Sequence, residues 1–208
     1  MIEIDKVLKN ISHTPVELPN VFVEGLTNNS SKVKKGFIFF AFQGENIDGN
    51  DFIEEAFNNG ACLVVSDSDK VISQRNIIKV DNVRLASGVA CSNFYNFPQN
   101  KLKLIGITGT NGKTSTSSIL KSILDNADIK ALQVGTSGIK PKLDVETNLT
   151  TPDIFDLYHI FNMAVKQDYE YIILEVSSHA LSQKRIENVL FDITAFTNLT
   201  LDHLDYHK

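Results

Sequence analysis

Cysteine is scarce in this sequence, positive charge is in deficit, and no hydrophobic run is long. Cys62 and Cys91 both sit in apolar surroundings, and neither belongs to a C-x-x-C pair. A disulfide framework and a cysteine metal clip are therefore excluded, and buried thiols of a cytoplasmic protein are expected. Lys and Arg number 20 against 25 Asp and Glu, a net charge of −5. That balance argues against a nucleic-acid binder, which presents a basic field. The most apolar stretch, Phe37-Ile38-Phe39-Phe40-Ala41-Phe42, is about a third of the ~20 residues a membrane-spanning helix needs. Met1-Ile2-Glu3-Ile4-Asp5 places acid where a secretory leader carries base. No internal repeat, low-complexity tract or N-K-x-D guanine motif is present.

What is there is an ordinary globular composition, 208 residues with 42% hydrophobic and 22% charged, enough for one large domain or two modest ones. From residue 36 onward apolar runs alternate with helical periodicity, which predicts an α/β fold. Strands are expected over 37–42, 61–66, 76–80, 102–108, 171–176 and 191–196. Phe52, Ile53, Ala56 and Phe57 recur at helical spacing before Asn58-Asn59-Gly60, a stop signal. Leu85, Ala86, Val89, Ala90 and Phe94 form the expected apolar face of a second helix, and Ile119, Leu120, Ile123 and Leu124 that of a third; another spans 154–165. Asn96-Phe97-Pro98-Gln99-Asn100-Lys101 carries a Pro among polar residues after a helix, and the domain boundary is expected there, giving 1–97 and 98–208.

Gly106-Ile107-Thr108-Gly109-Thr110-Asn111-Gly112-Lys113-Thr114 lies between a predicted strand and a predicted helix, the context a phosphate loop requires. Glycines let backbone N–H groups turn inward around phosphate oxygens, and the helix N-terminus adds partial positive charge. Lys113 is expected to reach the outer phosphates and the Thr114 hydroxyl to ligate Mg²⁺. The pattern departs from G-x-x-x-x-G-K-[ST] by one place, because Ile107 stands at its first position and the glycine at 106. A glycine-rich strand–helix turn with a capping Thr is the plainer alternative. The apolar run Tyr171-Ile172-Ile173-Leu174 ends in Glu175. A carboxylate at the end of a buried strand beside a phosphate loop is where a nucleotide-bound Mg²⁺ finds a protein oxygen; without that loop, a strand-end Glu points to solvent.

Thr108-Gly109-Thr110-Asn111-Gly112-Lys113-Thr114 resembles the ATP loop of the Mur ligases and their relatives, the folylpolyglutamate synthetases. Leu149-Thr150-Thr151-Pro152-Asp153, Glu175-Val176-Ser177-Ser178-His179-Ala180-Leu181 and Phe196-Thr197-Asn198-Leu199-Thr200-Leu201-Asp202-His203-Leu204-Asp205-Tyr206-His207 narrow the resemblance to the UDP-N-acetylmuramoyl-tripeptide synthetase branch. Residues 36–67 are similar to that branch's uridine-nucleotide-binding domain. The resemblance implies an N-terminal α/β uridine-nucleotide-binding domain, followed by the front part of a P-loop, mostly parallel-sheet ATPase domain. It implies that ATP phosphorylates the terminal carboxylate of UDP-MurNAc-L-Ala-D-Glu. The amine of an amino acid, meso-diaminopimelate or L-lysine, then displaces phosphate from the acyl phosphate. The ATP-binding residues would be Gly109, Thr110, Asn111, Gly112, Lys113, Thr114 and Ser115. Lys113, Glu175 and His203 would be the catalytic set, with Thr114, Glu175 and His203 as metal ligands.

His203 and His207, at i and i+4, could bind zinc from one helix face, but no H-E-x-x-H glutamate accompanies them. The resemblance instead makes Asp202-His203-Leu204-Asp205 the D-H-L-D motif, whose His holds a second Mg²⁺. It also places a carbamylated lysine beyond this motif, farther on than Lys208, so a truncated chain without full catalytic competence is expected. On the substrate side, the motifs assign Thr150, Thr151, Ser177 and Arg185 to the MurNAc-dipeptide. Ser30 and the backbone of Glu45 and Asn46 are assigned to the uridine end. Asn29-Ser30-Ser31 stands where Asp-Ser-Arg is usual. Taken alone, the Thr-Thr pair serves equally as a helix cap. A monomer with no nucleic-acid partner and no membrane span is expected. Rival readings are another Mur ligase or a folylpolyglutamate synthetase relative, the latter lacking a uridine domain, and a non-catalytic UDP-sugar-precursor or ATP-binding module.

Overall fold

The computed structural model describes residues 1–44, 47–71, 76–145 and 147–200, and the chain folds into two compact units, Met1–Asn96 and Phe97–Lys208. Among the described residues, no helix is long and apolar enough to cross a membrane.

The first unit opens with strand β1 (Ile2–Glu3), helix α1 (Ile4–Val7) and strand β2 (Phe22–Val23), with β1 and β2 antiparallel. Its main sheet comprises β3 (Gly25–Thr27), β4 (Phe37–Ala41), β5 (Ala61–Ser66) and β6 (Ile77–Lys79), in that order and parallel throughout. Parallel neighbours need crossover connections. Helix α2 (Ile53–Asn58) supplies the one between β4 and β5, and α3 (Val83–Phe94) follows β6. Ile38, Phe39, Phe40 and Ala41 are all buried, as expected of a parallel strand covered on both faces. The elements before residue 36 are too short to leave a periodic signal in the sequence.

Helix α3 departs from its expected face. Leu85 is 43% exposed, whereas Val83, Ala86, Ser87, Ala90, Cys91 and Asn93 are buried. The helix is rotated because Asn93 turns inward, where its Nδ2 donates to the carbonyls of Val7 at 2.9 Å and Lys9 at 2.8 Å. A polar side chain thereby satisfies carbonyls at the C-terminal end of α1 that the helix leaves without partners.

In the second unit, β7 (Lys103–Thr108) runs into α4 (Lys113–Asn126), then β8 (Ala131–Gly135) and β9 (Gly138–Lys140). Helix α5 (Ile154–Lys166), β10 (Tyr171–Glu175), α6 (Ser178–Ser182) and β11 (Ile193–Phe196) complete it. Strand order is β11-β7-β10-β8-β9, parallel except for the β8–β9 hairpin. Leu120 and Leu124 of α4 pack on Ile105, Ile107, Ala131 and Ile173. Ile119 and Ile123, expected on the same face, are 62% and 59% exposed. The buried side of α4 centres on Ser117, which places both isoleucines roughly a third to a half of a turn away. Asp153 caps α5, its Oδ1 accepting from the amides of Phe155 and Asp156, so Thr150 and Thr151 are not the cap.

Neither cysteine forms a disulfide; Cys91 is fully buried, and burial pushes the half-buried Cys62 thiol up to about 11. At pH 8 only about 0.1% of such a thiol is thiolate, the reactive form. Iodoacetamide at pH 8 is expected to leave both thiols unmodified in the folded chain and to label both in urea, read by intact mass. Stoichiometric labelling of Cys62 without denaturant would contradict its burial.

Candidate phosphate-loop site

The parallel pairing of β7 and β10 sets Glu175 opposite Ile107, just before the glycine loop begins. This register brings a carboxylate to the loop from a distant part of the sequence. Gly109 has φ +131°, and a Cβ there would overlap the Thr197 hydroxyl and the Asn198 backbone. Gly112, with φ +86°, is the N-cap of α4. Both positions demand glycine.

A second segment clasps the loop. Thr197 N–H donates to Thr108 O at 2.9 Å, and Thr197 Oγ1 donates to Asn111 O at 2.6 Å. Asn198 grips the Asn111 backbone on both sides, its Oδ1 accepting from Asn111 N–H at 3.0 Å and its Nδ2 donating to Asn111 O at 2.9 Å. Thr110 N–H donates to Asn198 O, and its hydroxyl bonds the Thr200 backbone. The amides of Thr110 and Asn111 are thus engaged within the fold. This narrows the expected phosphate cradle to the amides that open α4, since the first turn of a helix has no intrahelical acceptors. Lys113 Nζ rests on the carbonyls of Gly109 at 2.6 Å and Thr110 at 3.1 Å, directly over the loop.

Glu175 is fully buried. An isolated carboxylate there would be costly, so its oxygens must be met by donors. Oε2 accepts from Thr114 Oγ1 at 2.7 Å, Thr136 Oγ1 at 3.1 Å and Thr136 N–H at 3.4 Å. Oε1 accepts from Ser117 Oγ at 3.0 Å. A Cβ at Gly135 would overlap the carboxyl group, so the acid lies flat against that backbone. Thr150 Oγ1 is 3.1 Å from Thr136 Oγ1. Because the carboxylate takes the Thr136 proton, Thr150 is the donor of that pair.

The residues expected on the substrate side are held together but are largely occupied. Thr151 is buried, donating to Glu175 O at 2.9 Å and accepting from Ser177 N–H at 3.0 Å. Ser177 Oγ caps α6 by accepting from Ala180 N–H. Arg185 donates to Thr151 O at 3.1 Å and to Gln183 Oε1, bracing the Thr150-Thr151 turn. In the first unit, Ser30 is buried and its hydroxyl donates to Glu55 at 3.1 Å. Ser115 is exposed on the first turn of α4. Glu45, Asn46 and His203 lie outside the described residues. The sequence does not single out Gly135, Thr136, Ser117, Gln133, Thr197 or Asn198 individually. The last two belong to a motif that carries the family resemblance; the others leave no signal short of the fold.

Whether Mg²⁺ fits can be asked of the donors themselves. Neighbouring ligands of an octahedral Mg²⁺, with bonds of about 2.0–2.1 Å, stand about 2.9 Å apart. Thr114 Oγ1 and Glu175 Oε2 are 2.7 Å apart, and a hydroxyl plus a carboxylate suits a hard cation. The site fits the ion.

Strand, glycine loop, helix N-terminus and neighbouring-strand acid together define a P-loop α/β protein. Residues 107–208 match the Mur ligase middle domain, and residues 22–95 match the Mur ligase family, catalytic domain. The chain belongs to the Mur ligase family. It is 44% identical over 186 residues to the UDP-N-acetylmuramoyl-L-alanyl-D-glutamate--2,6-diaminopimelate ligase of Fusobacterium nucleatum, covering 88% of this chain and 38% of that protein. Its counterpart from Caldanaerobacter subterraneus subsp. tengcongensis is 42% identical over 206 residues, 97% of this chain and 42% of the relative. A solved structure of a ligase of that name superimposes with TM-score 0.79 at 29% identity, over 100% of this chain and 42% of that one. The chain spans about two-fifths of the length of these relatives.

Gly135→Ala tests the seating of the acid. The added methyl must displace the Glu175 carboxyl from its hydroxyl partners, and overpacking of this kind costs about 1–3 kcal/mol. Urea unfolding is expected to show a lower midpoint with an unchanged slope; an unchanged midpoint would mean that the carboxylate is free to move.

Proposed function

We propose that this chain provides the uridine-nucleotide-binding part (residues 1–97) and the phosphate-loop part (98–208) of an ATP-dependent ligase. The ligase extends UDP-MurNAc-L-Ala-D-Glu with an amino acid through an acyl phosphate. The names of the relatives support 2,6-diaminopimelate as that amino acid. The observation that carries the reading is the Thr114–Glu175 pair at 2.7 Å, beside a glycine loop that opens a helix.

In this reading Lys113 exchanges the Gly109 and Thr110 carbonyls for the outer phosphate oxygens of ATP, at little reorganisation cost because its stem already crosses the loop. The amides of Gly112, Lys113, Thr114 and Ser115 donate to phosphate oxygens, aided by the partial charge of α4. Thr114 and Glu175 would hold Mg²⁺, which when bound would supply positive charge against the transferring phosphoryl group. Thr136 and Thr150 carry a hydroxyl chain from Glu175 towards the substrate side. Arg185, by bracing the Thr151 carbonyl, fixes that turn and presents its guanidinium to the MurNAc-dipeptide. Ser177 borders the same turn. Ser30, whose proton is given to Glu55, keeps acceptor capacity for the uridine end, where Glu45 and Asn46 are also assigned. His203 is proposed for a second Mg²⁺ on the strength of its D-H-L-D motif alone. Two cysteines outside any disulfide support a reducing, cytoplasmic setting.

Lys113→Ala is expected to weaken Mg²⁺-dependent binding of a fluorescent ATP analogue (mant-ATP) by about tenfold or more, the weight of a hydrogen bond to a charged group. Equal affinities for wild type and variant would sink the phosphate-loop reading. Arg185→Ala tests the substrate side separately. It should cost UDP-MurNAc-dipeptide about 1.5–3 kcal/mol by calorimetry and leave UDP affinity nearly unchanged. Equal losses for the two ligands would misplace the peptide end.

A further inference from the structure

Behind Glu175 lies a buried polar row for which the proposed chemistry has no direct use. Ser117 is fully buried and Gln133 is 1% exposed. Gln133 Nε2 donates to Ser117 Oγ at 2.8 Å and to Ser118 Oγ at 3.1 Å. Ser117 Oγ has one proton and two acceptors within reach, Glu175 Oε1 at 3.0 Å and Thr114 O at 3.0 Å. The bond to an ionised acceptor is the stronger. Gln133 fills the acceptor side of the hydroxyl, so the Ser117 proton points to the carboxylate. The row runs one way: Gln133 amide to Ser117, Ser117 to Oε1.

We infer that Ser117 and Gln133 are positioning residues that hold Glu175 as a one-oxygen ligand and thereby favour Mg²⁺ over Ca²⁺ at this site. The inference rests on the proposed placement of a nucleotide-bound cation between Thr114 and Glu175. Oε1 is turned into the protein interior, and Oε2 alone faces Thr114 and the loop. Gly135, whose backbone lies against the carboxyl group, limits rotation of the acid from the other side. Mg²⁺ requires near-ideal octahedral geometry with short bonds, which a single carboxylate oxygen serves well. Ca²⁺ takes six to eight longer bonds and readily uses both oxygens of one carboxylate. To offer both oxygens, Glu175 must give up the Ser117 bond, and in a dry layer Ser117 then exchanges a hydrogen bond to an ionised acceptor for a weaker one to the Thr114 carbonyl, which is unfavourable. The buried row therefore opposes the mode that Ca²⁺ prefers.

The test uses the whole chain with mant-ATP, titrating MgCl₂ or CaCl₂ and reading the apparent metal affinity from the fluorescence. Ser117→Ala and Gln133→Met, the latter of similar length and volume, are each expected to shift the Ca²⁺/Mg²⁺ affinity ratio about tenfold towards Ca²⁺. Ser117→Thr, which keeps the hydroxyl, should retain the wild-type ratio. A variant that merely loosens the fold weakens both metals alike and leaves the ratio unmoved; that result in both Ser117→Ala and Gln133→Met overturns the inference. Wild type and Glu175→Gln serve as the control for the underlying reading. If wild type shows no metal-dependent binding, or Glu175→Gln binds metal as wild type does, the cation placement falls and the inference with it. If Glu175→Gln loses metal dependence while the ratio stays fixed in the other variants, only the inference falls.

Discussion

A carboxylate sealed from water must be surrounded by donors, and much of the second unit's interior answers to that requirement at Glu175. Four hydrogen bonds from Thr114, Thr136 and Ser117 converge on its two oxygens. Thr114 and Ser117 come from neighbouring turns of α4, and Thr136 from the position after β8. The acid also dictates its neighbours by shape, since Gly135 can carry no side chain against it. The parallel register of β7 and β10 makes all of this coincide with the glycine loop. A slip of one residue would turn Glu175 to the other face of the sheet and leave three hydroxyls without an anion.

The glycine loop is often regarded as a self-sufficient motif, yet here its shape is imposed from outside. Glycine permits the φ values at 109 and 112, but permission is not specification. Specification comes from Thr197 and Asn198, which hold the Thr108 and Asn111 backbones in place and take up the amides of Thr110 and Asn111. What remains available to an anion is the helix opening with Lys113 above it. The separation of roles is sharp: one segment shapes the loop and another presents charge.

How far the sequence foretells this differs by element. The strands at 61–66 and 103–108 and the loop between β7 and α4 are legible, because a buried parallel strand is a short apolar run and a glycine loop is a local pattern. The faces of α3 and α4 depart from their periodicity for a shared reason. Apolar periodicity assumes that a core is apolar, but Asn93 and Ser117 are core residues with specific partners, and their presence rotates the buried face. Glu175 is legible through its position after an apolar run. Its companions Ser117, Gln133 and Thr136 are not, since nothing in a single chain indicates which hydroxyls a fold will bring to one oxygen. Arg185 is legible in sequence as a planar fork, but not the bond by which that fork braces the neighbouring turn at Thr151.

The clasp at 197–200 also has a temporal side. Asn198 and Asn111 are 87 positions apart, and β11 reaches β7 only after the intervening strands and helices have been made. Contacts of such long separation form late, since the entropy of closing the connecting chain must be met before they stabilise anything. During synthesis the glycine loop leaves the ribosome long before the strand that shapes it. Until β11 pairs with β7, the loop lacks the Thr197 and Asn198 contacts that fix its shape. Anion recognition therefore waits for β11, and the place of β11 in the chain sets when it arrives.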